Sequence, residues 1–187
     1  MFVMMNESPL LTIDADGFAS RADYIASPNQ DARPAPATVD MIVIHNISLP
    51  PQQYGGDGIV QLFTNQLDPN AHPYYAEIAH LKVSAHFLIR RDGYLYQFVS
   101  CQQRAWHAGA SHWQGRDRCN DFSVGIELEG SDIEVFEDAQ YVTLRALITA
   151  LRQRYPIQHL VGHADIAPGR KTDPGPFFDW HRIRSTR

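Results

Sequence analysis

The hydrophobic positions run along the chain in three different rhythms, and each predicts a different element. Met41-Ile-Val-Ile, ahead of His45, is a nearly unbroken apolar run, the signature of a strand buried on both faces. Phe122-Ser-Val-Gly-Ile-Glu-Leu-Glu129 alternates instead. Val124, Ile126 and Leu128 share one face of a strand, and Gly125, Glu127 and Glu129 share the other. Ser84–Arg90 and Tyr94–Val99, joined through Asp92-Gly93, predict a β-hairpin. Over residues 138–155 the period changes to that of a helix, because Tyr141, Leu144, Ile148, Leu151 and Tyr155 step by three and four. Asp138 is its expected N-cap and Pro156 its stop. Shorter helices are expected after Asp57, with Ile59, Leu62 and Phe63 turned inward, and from Asp179.

Between these segments the pattern dissolves. Residues 1–38 mix Pro, Asp, Asn and Ala without a period, and predict an irregular arm packed on the domain, with a turn of helix near Arg21–Ile25. Segments 49–58 and 66–82 predict long irregular loops of the kind that act as lids. Strands interleaved with helices predict one α/β (mixed α+β) domain over residues 39–187, a central mixed β-sheet flanked by helices.

Length and composition agree: 187 residues at 44% hydrophobic suit one globular domain. Sixteen basic against 21 acidic residues leave a net charge of −5, which supplies no general field for nucleic acid or an anionic membrane. Met1–Met5 is apolar but short, and the first basic residue is Arg21, which does not fit a secretory signal. The expectation is a cytoplasmic protein with no membrane and no obligate protein partner. Cys101 and Cys119 are then expected as free thiols.

Nine His in one small domain direct attention to metal or acid–base chemistry. His45 closes the apolar run, at the carboxyl end of a predicted strand, where sheets present functional groups. Gly162-His163-Ala-Asp-Ile-Ala-Pro-Gly-Arg-Lys171-Thr-Asp173 places an imidazole, an ammonium and a carboxylate in one Gly/Pro-rich segment. Two imidazoles and one carboxylate are the donor set of a hydrolytic zinc site with an open fourth position. Such an ion lowers the pKa of its water from 15.7 towards ~7. HExxH and GxSxG are absent, and Arg170 interrupts the Gly-Lys pair that a phosphate-binding loop requires.

Six segments, taken in order, resemble the cytosolic 1,6-anhydro-N-acetylmuramyl-L-alanine amidases, relatives in fold of the peptidoglycan-recognition proteins. They are Val43-Ile-His-Asn-Ile-Ser-Leu-Pro-Pro51, Val83-Ser-Ala-His-Phe87, Arg104-Ala-Trp-His-Ala-Gly109, Cys119-Asn-Asp-Phe-Ser123, Gly125-Ile-Glu-Leu-Glu-Gly130 and Lys171-Thr-Asp-Pro-Gly175. The resemblance runs from about residue 22 to 183. It implies Zn2+ held by His45, His163 and Asp173, Glu127 as general base and Lys171 as stabiliser of the oxyanion. It also implies hydrolysis of the amide between the lactyl group of (1,6-anhydro)-N-acetylmuramic acid and L-Ala.

Substrate contacts are expected from Asn46, through its amide, and from Trp106, as an apolar wall for a sugar face. Arg118 and then Lys82 are the expected partners of the stem-peptide carboxylates. The roles of His86, His107 and Glu129 stay open. A non-catalytic muropeptide-binding module would lack one of the five matching positions, and a wall-lytic amidase would need export.

Overall fold

The computed structural model describes residues 10–184; the Met1–Met5 stretch lies outside them. The strands are β1 (Asp23–Tyr24), β2 (Gln30–Ala32), β3 (Met41–Ile47), β4 (Phe87–Ile89), β5 (Leu95–Gln97), β6 (Gln103–Ala105), β7 (His112–Trp113), β8 (Arg116–Asp117), β9 (Ser123–Glu129) and β10 (His159–Gly162). The helices are α1 (Gly58–Phe63), α2 (Pro73–Ile78), α3 (Asp138–Arg154), α4 (His163–Ile166) and α5 (His181–Arg184).

Six strands form one sheet in the order β1-β5-β4-β9-β3-β10. The four from β4 to β10 run parallel, β5 is antiparallel to β4, and β1 adds parallel to β5, so the sheet is mixed as expected. The apolar run of β3 and the alternating β9 lie side by side at its centre. Ile42 and Ile44 join Val124, Ile126 and Leu128 on one face, beneath Tyr141, Leu144, Ile148 and Leu151 of α3. On the other face Leu88 packs with Ile59, Leu62 and Phe63 of α1 and Tyr75 of α2, and Met41 and Val43 pack with Ala108 and Ile166. Both faces of the central strands are therefore dry, which is why β3 reads as continuous apolar sequence.

Several local expectations are corrected. The predicted helical turn near Arg21–Ile25 is strand β1, because Asp23 and Tyr24 pair with Tyr96 and Gln97 at the sheet edge. The arm is less irregular than its composition suggests: β2 pairs antiparallel with β6, and Leu11, Ile13 and Ala19 enter the core under α3. The first hairpin strand forms a ladder only over Phe87–Ile89; Ser84 and His86 donate their backbone N–H to the carbonyls of Trp106 and Gly125 instead. Segment 66–82 is not wholly loop, since Pro73 starts α2 behind a His72 cap. The N-cap of α3 is Glu137, in a reciprocal box with Gln140, and not Asp138. Cys101 and Cys119 are buried free thiols. No helix among the described residues is long and apolar enough to cross a membrane.

Candidate metal centre

Parallel pairing puts His45 of β3 directly beside Glu127 of β9, on the face opposite α3. Parallel neighbours sit about 4.8 Å apart, so two chemically active side chains share one patch by register alone. On the other side of β3, β10 ends at Gly162, and His163 opens α4. The Lys171–Asp173 segment then folds back: Ala164 N donates to Asp173 O at 2.9 Å. A Cβ on residue 162 would stand 2.7 Å from Pro174 Cδ, so only glycine lets the two segments approach this closely. Asp132 ties the loop to the sheet, accepting from Asn46 Nδ2 at 2.7 Å and from Thr172 Oγ1 at 2.5 Å.

Three donor atoms converge as a result. His45 Nδ1 lies 3.0 Å from His163 Nδ1 and 3.0 Å from Asp173 Oδ2, and His163 Nδ1 lies 3.1 Å from the same oxygen. Ligands of a tetrahedral zinc with bonds of 2.0–2.1 Å stand roughly 3.3 Å apart, so this near-equilateral triangle matches the ion. Its protonation matches too: His163 Nε2 lies 3.1 Å from the Ala108 carbonyl, which can only accept, so His163 turns a bare Nδ1 into the triangle. These residues are the group of potential metal ligands found among the described residues.

Burial lowers the His45 imidazole to about 4, an effect that the Asp173 contact opposes and the His163 charge reinforces. Burial alone would raise Asp173, but the His163 and His45 side chains beside it outweigh burial and hold the carboxyl well below the usual range. Glu127 moves the other way: burial, then the Asp173 charge, push it well above the carboxylate range against the pull of Lys171. Glu127 Oε2 is buried with no hydrogen-bond partner among the described residues. The site therefore holds one firmly ionised carboxylate and one carboxyl able to carry a proton, the separation that acid–base work needs.

These groups open into a cavity of about 610 Å³, which Lys171, Trp106, His107, Tyr74 and Arg170 also line. His45, His163, Asp173, Glu127, Lys171, Asn46 and Trp106 are thus brought together. Asn46 commits its amide nitrogen to Asp132 and to the Pro174 carbonyl, and so braces the ligand loop. Trp106 donates its indole N–H to Asp31. Arg118 is placed elsewhere: it is exposed, pairs with Asp121 at 2.6 Å and lines a separate cleft with Ser111 and His112. Lys82 is exposed beside the cavity, whose wall takes Leu81 and Val83 but not Lys82. Glu129, two residues beyond Glu127, is no part of the centre and accepts from Arg90 at 2.9 Å and from Gly55 N at 2.7 Å. His86 is fully buried, accepting from Gly125 N through Nδ1 at 3.0 Å.

Sequence reasoning gave Asp132 and Arg33 no role, and met Arg170 only as the residue that interrupts a Gly-Lys pair. Arg170 donates to the carbonyls of Ala108 and Ala110, and Arg33 donates to those of Cys101, Asn120, Asp121 and Ser123. A lone Arg or Asp in loop sequence carries no periodic signal, so none was available to find them.

Comparison with known proteins adds an independent line. The sequence profile of the N-acetylmuramoyl-L-alanine amidase family matches residues 35–176. The chain is 56% identical to the 1,6-anhydro-N-acetylmuramyl-L-alanine amidase AmpD of Citrobacter freundii over 172 residues, 91% of this chain and 92% of that one. It is similar to the crystal structure of a selenomethionine AmpD derivative, with a TM-score of 0.90 at 56% identity, covering 91% of this chain and 97% of the other. Escherichia coli AmiD, solved in complex with the substrate anhydro-N-acetylmuramic acid-L-Ala-D-γ-Glu-L-Lys, gives a TM-score of 0.59 at 29% identity, covering 94% of this chain and 65% of that one.

Proposed function

The chain belongs to the N-acetylmuramoyl-L-alanine amidase family, and from that premise we propose a residue-level account of how it hydrolyses the amide between anhydro-N-acetylmuramic acid and L-Ala. The observation that carries the account is the triangle of His45 Nδ1, His163 Nδ1 and Asp173 Oδ2, one strand away from a buried carboxyl. His45, His163 and Asp173 would hold zinc, which when bound would polarise the scissile carbonyl and make a nearby water far more acidic.

The protein's own groups do the rest. Glu127 takes the proton of the attacking water at a carboxylate oxygen and returns it to the departing L-Ala nitrogen. Its raised affinity for a proton suits the second half of that task, and the Lys171 charge keeps the first half accessible. Lys171 also faces the oxygen on which negative charge develops, a contribution of the order of 3 kcal/mol for one well-placed donor. Trp106 offers an apolar face to the sugar, and the 610 Å³ cavity is of the size that holds a small muropeptide. The substrate is a soluble 1,6-anhydro-muropeptide met in the cytoplasm. Arg170 and Lys171 are the cations among the described residues that line the cavity, and we read them as further partners for a stem carboxylate.

Metal analysis with turnover before and after chelation tests the account. Close to one equivalent of zinc, activity lost on stripping and restored by zinc, is the expected result; undiminished turnover by metal-free protein would overturn it. Soluble anhydro-muropeptide should be cleaved far faster than insoluble sacculi.

A further inference from the structure

His163 and His45 face the same requirement, a bare Nδ1 turned toward the cation, and meet it by different means. His163 places its Nε2 proton directly on the Ala108 carbonyl, 3.1 Å away. Among the described residues, His45 has no carbonyl or carboxylate behind it. Its Nε2 lies 2.9 Å from another imidazole nitrogen, Nδ1 of His107, and a pair of imidazoles does not by itself say which nitrogen holds the proton.

The next links decide it. Ser123 Oγ lies 2.6 Å from the Cys119 carbonyl and 3.1 Å from His107 Nε2. A carbonyl only accepts, so the single hydroxyl proton points to Cys119, and Ser123 meets His107 with a lone pair. His107 Nε2 must then be the protonated nitrogen and His107 Nδ1 the bare one. His45 Nε2, facing that bare nitrogen, carries its proton, and His45 Nδ1 is left free where it meets His163 and Asp173.

From this chain we propose that His107 is a positioning residue for the metal. Anchored through Ser123 to the Cys119 carbonyl, it locks His45 in the tautomer and ring orientation that presents Nδ1 to zinc. The inference rests on the reading of His45, His163 and Asp173 as the ligand set.

The fold is built to admit this ring. His107 lies over Gly125 of β9, where a Cβ would stand 2.4 Å from its Cγ and 2.6 Å from its Nδ1. Its backbone is held from the far side: Asn120 Oδ1 accepts from His107 N at 3.1 Å and from Ala108 N at 2.8 Å. The His45 and His107 rings meet edge to face, their centroids 5.0 Å apart at 85°. Gly125 thus shares a strand face with Glu127 for a reason that strand propensity does not supply.

Zinc affinity, measured by competition with a chromophoric chelator, is the direct test, joined to long-range proton–nitrogen NMR of the imidazoles. Removing the group that orients a metal-bound imidazole typically weakens binding 10–100-fold. H107A should fall in that range while its far-UV circular dichroism matches wild type. G125A should do likewise by displacing the ring, and S123A, which frees His107 to turn its proton, should lose several-fold. In zinc-loaded wild type, His107 and His45 should each show a protonated Nε2, a signature that needs no variant to fold. A folded H107A that holds zinc as tightly as wild type, or His107 protonated at Nδ1, overturns the proposal. Wild type that binds no zinc overturns the ligand set, and this inference with it, so the two failures are told apart.

Discussion

At the scale of single residues, the proposed centre gives neighbouring groups opposite protonation tendencies. Glu127 is desolvated beside the negative Asp173, while Asp173 is held ionised by two imidazoles. E127Q keeps the shape and removes the proton carrier, so kcat should fall about 10²–10⁴-fold with zinc content and KM little changed; comparable turnover in E127Q would contradict the assignment. His86 carries a prediction about stability. Gly125 N–H points at its Nδ1, and burial, with the Arg33 charge, lowers the imidazole to about 3. Between pH 6.5 and about 3 the unfolded chain takes up a proton here that the folded chain refuses. Stability is therefore complete above pH 6.5 and declines as the pH falls through that window, by up to about 1.4 kcal/mol per pH unit from this group. Urea titrations at pH 7, 6 and 5 should give H86Q a shallower dependence than wild type, even though it is less stable throughout.

At the scale of elements, α3 shows how one side chain serves both a helix end and the sheet. Gln140 is fully buried; its Oε1 accepts from Glu137 N, while its Nε2 donates to the carbonyls of Ile89 and Glu129. It thus ties the helix start to the ends of β4 and β9, just past Glu127. Q140L would remove the cap and strand two buried carbonyls, a loss of about 2–4 kcal/mol. Thermal denaturation should record that as a clear fall in Tm, whereas turnover well below Tm should persist, since nothing in the catalytic face is altered. An unchanged Tm would show that the box is ornamental. This residue interrupts an otherwise regular apolar stripe, and periodicity alone gives no reason for a buried glutamine.

At the scale of the whole molecule, the N-terminal arm is part of the domain's frame. Arg33 sends its guanidinium to the carbonyls of Cys101, Asn120, Asp121 and Ser123, the same stretch that anchors His107. β1 extends the main sheet, and Leu11, Ile13 and Ala19 fill the core beneath α3. We therefore expect a chain starting at residue 39 to be purified unfolded or not at all, with a broad, uncooperative melting profile; a cooperative, active truncated protein would show that the arm is dispensable. R33M, a milder probe, leaves several buried carbonyls without a donor and should cost about 3 kcal/mol or more in denaturant titration.

Resemblance to the family chose Glu127 and Lys171; the linear order of residues by itself determined the elements with strong periods, β3, β9 and α3, and offered two imidazoles and a carboxylate as a candidate donor set. Those follow from short-range facts, since side-chain period reports burial and residue type limits chemistry. Tertiary structure decided what depends on long-range approach. It paired His45 with Glu127 across two strands far apart in the chain, placed Arg118 outside the cavity, turned the arm into sheet edge and core, and set His107 behind His45 and over Gly125. Such contacts arise from register and packing between distant segments, and neither leaves a local trace in the sequence of either partner.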